Sequence, residues 1–141
     1  MDSTVYLVVE PIEIIASDLA MNVQEYDPTA TVLVALSPEA GCLALQGHAS
    51  VRLAFVHADP RGFSATDIAR ALHGRNAQLV FTGDAAERSV NGEMVLQRPF
   101  SAQTTAAVLQ QTERAQTAWQ QKQLPGVAAR RPVEQPVNPD A

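Results

Sequence analysis

Apolar and polar positions along this chain switch repeatedly between two patterns. The first apolar run, Val5-Tyr6-Leu7-Val8-Val9, is continuous and ends at Glu10-Pro11. A run without polar alternation suits a strand buried on both faces, as in a parallel sheet. Ile12, Ile15, Leu19 and Val23 then recur three and four residues apart, with Glu13, Asp18, Asn22 and Glu25 on the other side. That spacing predicts an amphipathic helix with Pro11 near its first turn, and Asp27-Pro28 breaks it.

The alternation continues. Residues 31–36 read as a second strand. Ser37-Pro38-Glu39 supplies an N-cap, a first-turn proline and a first-turn acid for a short helix that stops near Gly47. Residues 51–56 read as a third strand. Ser64 and Asp67 form a capping-box-like start for a third helix, with Ile68, Ala69, Ala71 and Leu72 inward and Gly74 as its stop. Residues 77–81 are a fourth strand, Asp84 with Glu87 opens a short fourth helix, and Asn91-Gly92 turns into a fifth strand at 94–96. Ser101 caps a last helix carrying Val108, Leu109, Thr112, Ala115 and Trp119 on one side.

Strands alternating with helices imply an α/β fold of three layers, a doubly wound parallel sheet with right-handed crossovers. For five βα units the expected strand order is the flavodoxin-like 2-1-3-4-5, with functional groups at the carboxyl ends of strands 1, 3 and 4. The domain is expected to span 1–122. Residues 123–141 read as a disordered tail, because Pro125, Pro132, Pro136 and Pro139 fall there among few large apolar residues.

Composition narrows the functional classes. The chain has 141 residues and a formal net charge of −5. No apolar run approaches the ~18 residues of a membrane span, and the N-terminus lacks the basic and cleavable regions of a secretory signal. Cys42 is the single cysteine, so no internal disulfide forms, and a reducing cytoplasm is expected. Acidity without a basic cluster in the folded part argues against a nucleic-acid partner. Lys122 is the only lysine and sits between Gln121 and Gln123, which excludes a P-loop. Cys42, His48, His57 and His73 show no zinc-like spacing, and no nucleophile elbow is present.

Three pieces at the strand ends carry a resemblance: Leu7-Val8-Val9-Glu10, Phe81-Thr82-Gly83 and Arg98-Pro99-Phe100, with small residues Gly62 and Ala69 after strand 3. In this order on five βα units, residues 4–115 resemble a stand-alone receiver domain of bacterial two-component response regulators, the CheY-like superfamily. The resemblance implies transfer of a phosphoryl group to an aspartate ending strand 3. Acids ending strand 1 would hold Mg²⁺, with a hydroxyl after strand 4 and a lysine after strand 5.

The site positions depart from that pattern. His57 falls at the acceptor position, and imidazole cannot form an acyl phosphate. Glu10 matches the first acid, but Pro11 occupies the place of the second. Thr82 keeps the hydroxyl. Arg98 replaces the lysine with a wider, forked cation, expected to pair with Glu10 or a carbonyl. Val95 stands where the family often has a switching aromatic. Asp59 is the alternative acceptor, in a register that deletes two loop residues and draws His57 into the strand.

The resulting expectation is a degenerate, atypical receiver domain, not an enzyme, acting independently of phosphorylation through protein–protein interaction or self-association. No cofactor is expected, Mg²⁺ included. Its partner would be a protein of a signalling pathway, such as a histidine kinase or regulator, or a second copy joined through the last helix. Neither nucleic acid nor membrane is expected. Val95, Phe100 and Trp119 are the interface candidates, Trp119 because the last helix overhangs the sheet. A working receiver using Asp59 is the alternative. A flavodoxin-like small-ligand protein or enzyme using Glu10, His57 and Thr82 is the third.

Overall fold

The computed structural model describes residues 4–82, 94–96 and 101–123. Five parallel strands, β1 (Val5–Val9), β2 (Thr31–Ala35), β3 (Leu53–His57), β4 (Gln78–Thr82) and β5 (Met94–Leu96), form one sheet in the order β2-β1-β3-β4-β5. Between and after them run α1 (Glu13–Tyr26), α2 (Pro38–Ala44), α3 (Asp67–His73) and α4 (Ala102–Gln123). The α/β architecture and strand order are those expected from the alternation. The helix expected from Asp84 and Glu87 lies outside the described residues, as does the tail expected at 123–141 except for Gln123, which ends α4. Among the described residues, no helix is long and apolar enough to cross a membrane.

Central placement explains the unbroken apolar run of β1. Val8 pairs with Val34 of β2 on one side and Phe55 of β3 on the other. Tyr6, Leu7, Val8 and Val9 are at most 2% exposed. Leu7, Val9, Ala54, Val56 and Phe81 pack on one face with Leu45, Phe63, Ile68 and Leu72. The Phe63 and Phe81 rings meet edge to face, centroids 5.2 Å apart. Side chains of opposite parity, Tyr6, Val8, Phe55 and Val80, meet the other face. There α1 presents Ala16, Leu19 and Val23, and Asn22 Nδ2 reaches Thr105 Oγ1 of α4 at 3.5 Å.

The chain divides into two compact units, residues 1–108 around the sheet and residues 109–141. The second contains the later turns of α4, where Thr112 Oγ1 donates to the Leu109 carbonyl at 2.7 Å.

Caps set the helix starts. Ser37 Oγ accepts from Ala40 N at 3.1 Å. Ser101 Oγ accepts from Thr104 N at 3.1 Å while Thr104 Oγ1 accepts from Ser101 N at 3.0 Å, a reciprocal cap. Three expectations are corrected. The cap of α3 is Thr66, whose Oγ1 accepts from Ala69 N at 3.3 Å. Ser64 instead lies in a 3₁₀ turn, Phe63–Ala65, that Gly62 enters at φ 76°. Ile12 is 47% exposed, because α1 begins only at Glu13; its buried stripe runs through Ala16. The third strand extends one residue further, to His57.

Two contacts hold α2 and α3 against the sheet. A Cβ on Gly41 would lie 3.1 Å from Ile68 Cδ1 and 3.2 Å from Val9 Cγ2, so glycine permits the close approach of α2. Arg75, just past α3, donates from Nε to the His48 carbonyl at 2.8 Å, from Nη1 to Ala71 at 2.8 Å and from Nη2 to Leu45 at 3.2 Å. One guanidinium thereby satisfies acceptors at the carboxyl ends of both helices and in the turn after α2, where a cation is also favoured by the helix dipoles. Arg75→Met should lower stability by about 2 kcal/mol in urea unfolding, and Arg75→Lys should fall between the two, keeping the charge without the fork.

Candidate functional site

The carboxyl ends of β1, β3 and β4 bring Glu10, His57 and Thr82 into one row. His57 pairs in register with Thr82. The β1–β3 ladder ends at Val9 opposite Val56, so Glu10 and His57 are the next residues on each chain. All three continue the parity of Tyr6, Phe55 and Val80 and therefore belong to one face of the sheet.

Glu10 is 1% exposed, a position a carboxylate holds only with partners. Its backbone N donates to the Ala35 carbonyl at 3.0 Å, which keeps it on the edge of the β2 ladder. Its Oε2 accepts from Ile12 N at 3.0 Å, so the side chain folds back over Pro11 and closes the turn into α1. Its Oε1 lies 3.5 Å from His57 Nδ1, and the His57 side chain is 35% exposed. One oxygen is thus held by the backbone and the other faces an imidazole. Thr82 is buried, at 2% exposure. Pro11 is exposed and offers a ring where an acid would offer ligand oxygens.

Asp59 lies two residues beyond β3 and is engaged by Arg61. Its Oδ1 accepts from Arg61 N at 3.0 Å and from Nε at 3.2 Å, and its Oδ2 accepts from Nη2 at 2.9 Å. Hydrogen bonding to Asp59, reinforced by its charge, holds the Arg61 guanidinium above its ordinary pKa. Both partners are exposed, so this is a solvated turn.

The remaining positions divide as follows. Val95 pairs with Phe81 in the β4–β5 ladder, and Trp119 falls within α4, but their side chains lie outside the described residues. Arg98 and Phe100 lie outside them altogether. His73 ends α3 and is exposed, and His48 lies in the turn after α2. Cys42 is partly buried against the core. Among the described residues, no group of three His, Cys, Asp or Glu side chains is placed to hold a metal.

Sequence reasoning missed the Ile12 N–H bond to Glu10, the Arg75 clamp and an open groove of about 560 Å³ between α2 and α3. Only Arg75 left a local signal, a cation just after the Gly74 helix stop.

No protein-family model matches the chain, and no curated protein matches it. Solved structures do. A response regulator receiver domain protein from Bacillus halodurans matches with TM-score 0.57 and 20% identity, over 79% of this chain and 97% of that one. The fold is that of a receiver domain. SdrG from Sphingomonas melonis matches with TM-score 0.59 and 26% identity, over 80% of this chain and 99% of its own. The anti-anti-sigma factor PhyR from Bartonella quintana matches with TM-score 0.63 and 18% identity. It shares 88% of this chain and 53% of its own, so the receiver-like chain spans about half of it.

Because Glu10 closes the turn over Pro11, its replacements should separate hydrogen bonding from charge. Glu10→Ala should lower stability by about 2 kcal/mol. Glu10→Gln, which keeps an oxygen for Ile12 N–H, should cost less than half of that in urea unfolding. Equal losses would mean that the charge facing His57 matters more than the backbone bond.

Proposed function

We propose that this chain is a receiver-like signalling domain that works without aspartyl phosphorylation and delivers its output by binding a protein partner or a second copy. The observation that carries the reading is the Glu10–His57 contact at 3.5 Å. The side chain at the end of β3, beside the buried acid of β1, is an imidazole rather than a carboxylate.

The donor set supports it. Mg²⁺ prefers octahedral oxygen ligands supplied largely by carboxylates and water. The row offers one carboxylate, and its Oε2 already accepts from Ile12 N. Pro11 adds no ligand and His57 adds nitrogen, so the residues do not fit Mg²⁺. Nor do they form a nucleophile–base–orienter set of the kind an enzyme needs. Output by binding is the role that remains for a receiver-like domain with such a site.

Incubation with Mg²⁺ and a small acyl phosphate, followed by intact mass measurement, tests this directly. No stable phosphoryl adduct is expected on any aspartate. An adduct that maps to Asp59 and disappears in Asp59→Asn would show a working receiver in the shifted register.

A further inference from the structure

We propose that the groove between α2 and α3 docks a basic amphipathic helix of a partner protein. This rests on the reading that the domain's output is protein binding, and it names the surface and the partner's chemistry. The groove encloses about 560 Å³ and is lined by Pro38, Glu39, Cys42, Leu43, Asp67 and Ile68, among others. Its apolar content is concentrated on α2, where Leu43, in the last turn of the helix, is 66% exposed. On the buried side of α2, a Cβ at Gly41 would lie 3.1 Å from Ile68 Cδ1 and 3.2 Å from Val9 Cγ2. That close approach sets the spacing of the two helices and with it the width of the groove.

Charge selects the occupant. Glu39 and Asp67 both line the groove, and no basic residue does. Asp67 is paired with Arg70 along its own helix, whereas Glu39 makes no salt bridge among the described residues. An approaching helix would place a lysine or arginine against Glu39 and apolar side chains on Leu43, Cys42 and Ile68. The α2 part of the lining runs from Pro38 to Leu43, about 8 Å at helical rise, with Gln46 in the turn beyond. That length accommodates one turn of a partner helix with anchors at i and i+4. The net charge of −5 favours the encounter with a basic partner. The other exposed apolar pair of a helix, Ile14 and Met21 of α1 at 71% and 61%, shares its outward face with Asp18 and Glu25. A second copy presenting that face would meet like charge.

The test places a photo-cross-linking benzoylphenylalanine in the full chain, in its native cell, at Leu43, at Met21 or at Trp119 in separate variants. Cross-linked peptides are then sequenced by mass spectrometry. Leu43 is expected to capture a foreign segment with helical apolar spacing and at least one lysine or arginine. Glu39→Lys should reduce its yield by about fivefold or more, and Glu39→Gln by less. Unchanged thermal unfolding of each variant excludes misfolding as the cause of any loss. Capture of an acidic or uncharged segment, or of a second copy, would overturn the proposal, as would a yield indifferent to Glu39→Lys. Cross-links to protein from Met21 or Trp119 alone would overturn the groove while leaving the protein-binding reading standing. Their absence at all three positions would sink both.

Discussion

Burial of the central strands on both faces is the constraint from which the rest of this structure follows. Apart from Tyr6, the side chains of β1 and of β3 up to Val56 are apolar, because helices cover both sides and the ladders occupy the backbone groups. Polar chemistry is therefore confined to the points where the chain leaves the sheet. Glu10, His57 and Thr82 occupy those points at the carboxyl end. At the opposite end, Val51 N donates to the Arg75 carbonyl at 3.4 Å and Gln78 N to the Arg52 carbonyl at 3.0 Å, binding the entry loops together. The site at one end and the clamp at the other both answer the same requirement, that a buried sheet have satisfied exits.

Much of this was legible in local pattern. Four continuous or near-continuous apolar runs and the Met94–Leu96 segment marked the strands, and the βα alternation restricted their order. The row of Glu10, His57 and Thr82 was legible for a related reason: strand ends are counted from the runs themselves. The misreadings were also local. Ser64 and Thr66 are both competent caps, and only the turn made by Gly62 and Phe63 decides between them. The apolar spacing that began at Ile12 overlapped a turn that the Glu10 side chain closes, so the buried stripe starts at Ala16. Long-range features left little trace. Nothing near Leu45 or His48 announces that a guanidinium almost thirty residues later will bond their carbonyls, and a groove between two helices has no sequence period.

The likeness to receiver domains is a likeness of backbone, at 18% to 26% identity among the structures compared. Fold similarity of that kind leaves the chemistry of the site open. On the proposed reading, the charge arithmetic of the pocket has changed with its residues. A receiver site gathers several carboxylates and needs a divalent cation to hold them together. Here a single buried carboxylate is answered locally, by a backbone N–H on one oxygen and an imidazole facing the other. On that reading the site would need no metal, and the partly exposed His57 imidazole would stand in the place of a phosphoryl acceptor.

The central claim is most directly tested by ¹H–¹⁵N NMR at the Glu10, His57 and Thr82 amides during Mg²⁺ titration, followed by ¹⁹F NMR with beryllofluoride, which adds to an acceptor carboxylate as a phosphoryl mimic. The expected result is small, non-saturating amide shifts and no bound fluoride resonance. Saturable Mg²⁺ shifts in this row, with a bound fluoride signal that is lost in Asp59→Asn, would contradict it.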